Sequence, residues 1–518
     1  MSEQPVSAAP GGRRAPRQPG VYLVIVVAFV VTASVLATVV AQDRSGLAAQ
    51  TPEVVPVTET VVACPGLRSR EGFTQSAVAA ATPPKVPGVD PDAQGSGVVR
   101  TLDPKLSNEK TLISLRSPGD RGAYVGRNGE RDSVTGSASG SLAPGFSVTQ
   151  TERTVDGQGR GLASTQCQPT GTDFWFVGPA SGVGQRAVLV LTNPEDAPAT
   201  VDVTINGPKG LVDAPGARGI QVDPRTRTEI RLDEVAPGEK VLGLHVQVRI
   251  GRLSAAITET DVKGFDPLGT DWFPAAQAPA TQVVVPGVPA VNQGRDSSVR
   301  LDLVAPGEAA VATLSIVTPE GSFAPEGVDV VQVPAAGVAS VDLTDALRDE
   351  PASVVISSDV PVTAGARVEL SDPDLFGDAL FLAAAQPLTA PAVVPDNRTT
   401  KDLQTRLIFS APEGAAGATV TAFAGGNEWN VGRVDLQAGT TDVLTIDPPK
   451  VNGKTINSFG LVVTPRSGSE NDGPLYGVRM LDEEGPRGPL VTSFPLRTAR
   501  LLATVPEAYP AVPLGATS

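Results

Sequence analysis

The sequence predicts an all-β protein, a tandem array of immunoglobulin-like or fibronectin-like β-sandwich units behind a single N-terminal transmembrane helix. Three observations carry that prediction. Gly (54) and Pro (48) are abundant while aromatic residues make up only 4% of the 518-residue chain, a turn-rich signature. Short alternating runs bounded by turn residues recur throughout. A pattern of strand, Pro-containing turn and strand returns at intervals of 114 and 106 residues.

The helix comes first. Residues 21–41 (VYLVIVVAFVVTASVLATVVA) hold no charge. At about 1.5 Å per residue they match the roughly 30 Å hydrocarbon core of a bilayer. In lipid such a run must be helical, because nothing else satisfies its backbone polar groups. Arg13, Arg14 and Arg17 precede it against Glu3 alone. The positive-inside rule therefore makes 1–20 a cytoplasmic tail and puts everything after Ala41 outside. Val39 and Ala41 would also suit signal cleavage before Gln42, but the run exceeds the roughly 7–15 residues of a signal core. Either way the bulk of the chain is expected to be extracytoplasmic, and the uncleaved reading joins it to the membrane by this segment.

Residues 42–53 read as a polar stalk. A strand over 54–63 then leads to Cys64, and 65–97 reads as a Pro/Gly/Ala/Ser-rich extended loop. Short strands follow at 98–102, 111–115, 123–125, 147–155 and 161–168. With only two cysteines, both external, a Cys64–Cys167 disulfide is the expectation, closing this divergent first unit (54–185).

The repeats then open on Arg186 (RAVLVLTNPEDAPATVDVTI), Arg300 (RLDLVAPGEAAVATLSIVTP) and Arg406 (RLIFSAPEGAAGATVTAFAG). They define units over 186–290, 291–395 and 396–518. Each continues with two β runs read as a pair (228–232 with 241–250, 339–343 with 353–358, 441–446 with 460–463). A further strand follows each pair. Gly171-Thr172-Asp173-Phe174-Trp175 echoes Gly269-Thr270-Asp271-Trp272-Phe273, with Phe376-Gly377-Asp378 a degenerate relative. Trp175 and Trp272 thus fall near equivalent positions and read as core or packing residues. Helix is expected outside the anchor only over 344–349. Four stacked units of this size would make a rod.

Catalytic signals are weak. His245 is the only histidine; it cannot complete a metal site alone and has no G-x-S-x-G partner, so it reads as a strand residue. Asp90/Asp92 and Asp372/Asp374 have calcium-type spacing but no 12-residue loop ending in Glu, and Asp-Pro-Asp is ordinary turn chemistry. No cofactor, metal or catalytic residue is expected. Trp429, in GGNEWNVG, stands outside the repeat and is the candidate surface-binding residue. Residues 1–20 carry +2, which leaves −17 for the remainder; that balance argues against nucleic acid as a partner.

The membrane segment, Cys64-Pro65, Cys167 before the Gly171–Trp175 motif, and Asn193-Pro194 together resemble a family of uncharacterised actinobacterial envelope proteins, a repeat family of unknown function. That resemblance implies an extracytoplasmic, membrane-anchored protein and transfers no catalytic residues. The expected role is non-enzymatic binding or scaffolding of cell-envelope components, with a protein or glycan partner. The alternative is a carbohydrate-active enzyme or accessory carbohydrate-binding module acting on cell-wall glycan, which needs two carboxylates converging in a cleft.

Overall fold

The structure is a computed structural model that describes residues 32, 53–66, 74–86, 88–90, 93–126, 133–290, 296–347, 350–371, 375–466 and 472–505. The proposed anchor (21–41, apart from Thr32), the cytoplasmic tail and the stalk up to residue 52 lie outside the described residues. So do Asp92, Asp372 and Asp374. Among the described residues no helix is long and apolar enough to cross a membrane.

The chain is all-β. It divides into a small unit, 1–55 with 503–518, and a large one, 56–502. Glu53–Pro56 and Leu502–Val505 form a two-stranded sheet.

The large unit contains four pairs of antiparallel sheets, each pair packed across its own apolar core. In the second pair one sheet orders Asp173–Val177, Gly243–Ile250 and Ala199–Gly207; the other orders Thr226–Arg231, Gln185–Asn193, Ser254–Lys263 and Asp266–Phe273. The third and fourth pairs repeat this order. Asp296–Ala305 and Leu403–Ala411 stand where Gln185–Asn193 stands, so the strands opened by Arg186, Arg300 and Arg406 are structural equivalents. In the third pair one 20-residue strand, Ala352–Ser371, serves both sheets, its first half in one and its second half in the other.

Several expectations are corrected. The runs read as pairs lie in opposite sheets: Thr226–Arg231 bonds to Gln185–Asn193, whereas Gly243–Ile250 bonds to Asp173–Val177 and Ala199–Gly207. Asp173–Val177 belongs to the second pair and Ala280–Val288 to the third, as their hydrogen-bonded partners show. The two Gly-Thr-Asp motifs consequently occupy non-equivalent strands, one opening the second pair and one closing it. Residues 344–347 form a turn, not a helix, and Leu232–Val235 is a single helical turn.

The stretch 65–97 is not simply loop. Thr74–Ala81 (TQSAVAAA) is an interior strand with six buried residues, and Ser133–Gly140 (SVTGSASG) is another that sequence reading missed. Small side chains explain both. A Cβ at Gly136 would meet Val148 Cγ2 at 2.7 Å, so these strands are matched to close sheet packing and lack the bulky alternation that normally marks a strand. The strand expected over 54–63 is two, broken at Val57–Thr58 after Pro56. Cys64 and Cys167 form the expected disulfide, buried in the first core.

The four pairs do not form an open row. Their closing strands, Gly161–Gln166, Asp266–Phe273, Asp378–Ala383 and Gly488–Pro495, each pack on the next, and the fourth packs back on the first. Leu162 of the first pair shares a cluster with Leu481 and Leu490 of the fourth, and Ala81 with Val393 and Phe423. Polar contacts close the same seam. Arg153 forms a two-pronged ion pair with Glu483, and Thr151 Oγ1 donates to Asp396 Oδ2 at 2.8 Å. Arg160, fully buried, donates to the carbonyls of Gly377 and Gly488, both at 2.7 Å. The rod is replaced by a closed ring of four.

Asp271 and Asp378 sit on neighbouring closing strands, fully buried. Asp378 accepts from the backbone N–H of Leu162, Val491 and Ala379 at 2.8–3.0 Å. Burial nevertheless pushes its pKa from 3.8 up to about 7, and burial likewise raises Asp271 well above the carboxylate range. A carboxyl with a raised folded pKa binds more protons in the native state than in the unfolded chain across that interval. Asp378 is therefore expected to make stability fall as pH rises from about 4 to about 7. Urea midpoints measured against pH should show this slope flattened in Asp378→Asn, whatever that variant's baseline.

Candidate functional site

Three handovers between sheet pairs, together with the segment after the last closing strand, meet around one cavity of about 520 Å³. Its walls come from 166–174 (first to second pair), 275–277 (second to third), 384–386 (third to fourth) and 495–500. Strand Glu59–Cys64 and residues 145–147 complete it. Each handover must cross between sheets, and ring closure brings these crossings together. No local sequence pattern encodes that meeting.

The lining is largely apolar: Val62, Phe146, Phe174, Ala276, Ala385 and Leu496. Its charged members are Asp173, Arg497 and Arg500. Asp173 Oδ2 lies at hydrogen-bond distance from His245 Nε2, 2.8 Å. The His245 ring in turn stacks on Trp175 at 3.8 Å and 13° between planes. Strand register explains this trio, since Trp175 lies directly opposite His245 and Asp173 lies diagonally from it. The sequence offered no partner for His245 because Asp173 is 72 residues away.

Arg497 is different. It is half-buried, and among the described residues it has no hydrogen-bond or ion-pair partner. Loss of water alone pushes its pKa down to about 10. The backbone around it is held, with Ala499 N donating to Pro391 O at 2.8 Å and Gly145 N to Arg500 O at 3.1 Å.

The residues singled out from sequence lie elsewhere. Trp429 is on Asn427–Leu436, opposite Ala422 and half-buried against the fourth core. Trp429→Ala is expected to cost about 1–2 kcal/mol, less than the roughly 3–5 of a fully buried ring, in a denaturant titration. Trp272 is fully buried beside Ala163 and Val190. Asp90 is exposed. Among the described residues no three His, Cys, Asp or Glu side chains gather as a metal-ligand group. Asp271 and Asp378 do not line the junction cavity; main-chain N–H groups donate to both oxygens of Asp378, while Asp271 accepts from Ser164 N, Trp272 N and Thr492 Oγ1 on Oδ1 alone.

Comparison with curated proteins finds no match. Among solved structures, the α-L-rhamnosidase of Streptomyces avermitilis complexed with L-rhamnose is 10% identical and is aligned over 85% of this chain at a TM-score of 0.12. The chain spans 57% of that structure's length, and a likeness at this level carries no argument about function. Residues 123–447, more than half of the chain, match the family of unknown function DUF5719, and the chain belongs to that family.

Proposed function

We propose that this protein is a membrane-anchored, extracytoplasmic binding or scaffolding protein of the cell envelope that engages its partner at the junction cavity without chemically converting it. The sheet pairs are read as immunoglobulin-like β-sandwiches, on the strength of their recurring strand order. The uncharged run 21–41 supports the anchor, and a structural disulfide suits an oxidising compartment. The observation that carries the binding reading is the cavity. It falls in the roughly 300–1,000 Å³ range of small-ligand sites, is mostly apolar, and holds a few converging polar groups.

Fractionation of cells expressing the full chain tests the anchor: the protein should stay with membranes through salt washing. Co-sedimentation with purified wall material, before and after protein is stripped from it, tests the partner. Retention on stripped wall identifies glycan; loss on stripping identifies an envelope protein. Gln386 is exposed at the cavity wall, so Gln386→Trp should fill the mouth without disturbing a core and should abolish retention. Unchanged retention by that variant would remove the cavity from the account, and release of soluble sugar from the wall would overturn the non-enzymatic reading.

A further inference from the structure

We infer that the junction cavity is a carboxylate-binding site, whose ligand joins one carboxylate, held by Arg497, to a compact apolar body. This deepens the reading of the cavity as the binding site and rests on it.

The protein's other deeply placed arginines each have a partner, although Nε and Nη1 of Arg479, whose Nη2 donates to the carbonyl of Asp396, and Nε of Arg160 stand without one. Arg153 pairs with Glu483, Arg300 with Asp302, Arg367 with Glu259, and Arg160 caps main-chain carbonyls. Arg497 alone of these is held against the cavity with no partner among the described residues. An unpaired guanidinium that has lost water costs stability, and a bound anion removes that cost. Asp173 is the one acidic residue among the lining side chains, and His245 occupies its Oδ2.

Ligand class follows from shape and wall chemistry. A planar guanidinium fork suits a carboxylate bidentately. The walls at Val62, Phe146, Phe174 and Leu496 offer apolar contact and no second buried cation; Arg500 is exposed, where water screens it. A monoanion with an apolar body matches this lining better than a multiply charged phosphate. The bracing of the Ala499 and Arg500 backbone fixes the main chain from which Arg497 reaches the cavity.

The test is calorimetric titration of the full chain in zwitterionic lipid nanodiscs with phenylacetate, phenylacetamide and inorganic phosphate. Phenylacetate should bind saturably, and phenylacetamide at least about tenfold more weakly. Arg497→Gln should reduce phenylacetate to the level of the amide, Arg497→Lys should restore part of the affinity, and Arg500→Gln should change it less than about twofold. Because the substitution removes an unpaired charge, unliganded Arg497→Gln should melt no lower than the parent, so loss of binding cannot be charged to unfolding. Absence of saturable phenylacetate binding, equal binding by Arg497→Gln, or phosphate binding as tightly as phenylacetate would each overturn the assignment. Retention of Arg497→Gln on wall material alongside a failed titration would sink the carboxylate and leave the binding reading standing.

Discussion

Arg367→Ala is expected to lower the unfolding free energy by about 3–5 kcal/mol, the range for breaking a buried ion pair from one side. Arg367 reaches Glu259 through Nη1 at 2.6 Å and Glu369 through Nε at 2.6 Å, and its Nη2 meets Asp261. It also lies over the Phe381 ring at 5.3 Å. The side chains of Glu259 and Asp261 are 0% and 3% exposed, so water would not replace the lost guanidinium. Burial by itself lowers the pKa of Arg367 and raises that of Glu259. For Arg367 the surrounding carboxylates outweigh burial and the net shift is upward, while Glu259 remains raised. The cluster joins the second and third sheet pairs, so the loss weakens a seam of the ring as well as one pair. Arg367→Met combined with Glu259→Gln and Asp261→Asn should recover most of the stability, because the penalty comes from stranded charge. Urea titration of the single and triple variants separates the two.

Removing the disulfide should have an effect of similar size. Cys64 and Cys167 are separated by 103 residues, and the chain-entropy model gives about 4.7 kcal/mol for a loop near 100. The bridge ties strand Glu59–Cys64 to the residue after strand Gly161–Gln166, which lies in the facing sheet. That first pair is built on strands of Ala, Ser and Gly, which bury less apolar area than the Val- and Leu-rich strands of the third pair. Cys64→Ser with Cys167→Ser is therefore expected to cost about 4 kcal/mol and to lower the melting temperature of the whole large unit. A change under about 1 kcal/mol would mean that the first core holds itself together without the staple.

Much of the fold was legible because strand periodicity is local. The strands opened by Arg186, Arg300 and Arg406 announce themselves by alternation and a following Pro turn, and they are equivalent in the structure. An even cysteine count, in a segment expected to be external, sufficed for the disulfide. Thr74–Ala81 escaped notice because small residues carry no amphipathic signal, although backbone hydrogen bonding makes it an interior strand. Pairing between neighbouring runs was misjudged because consecutive strands in these units alternate between sheets, a property of topology that alternation cannot report. The candidate site was the least legible part. Arg497 stands in PLRTAR with no flanking motif, and its significance comes only from which segments surround it. His245 and Asp173, like Arg153 and Glu483, are brought together over long sequence separations.

The central structural claim is ring closure, since it creates both the buried charge clusters and the cavity. Differential scanning calorimetry of the full chain tests it most directly. Four pairs joined by apolar clusters, buried hydrogen bonds and ion pairs at their seams should unfold together, giving one transition with calorimetric and van't Hoff enthalpies in a ratio of about 1. Leu162→Ala, in the seam between first and fourth pairs, should move that whole transition down. Two or more resolved transitions, with Leu162→Ala shifting only one of them, would contradict the closed ring and return the protein to a string of independent units.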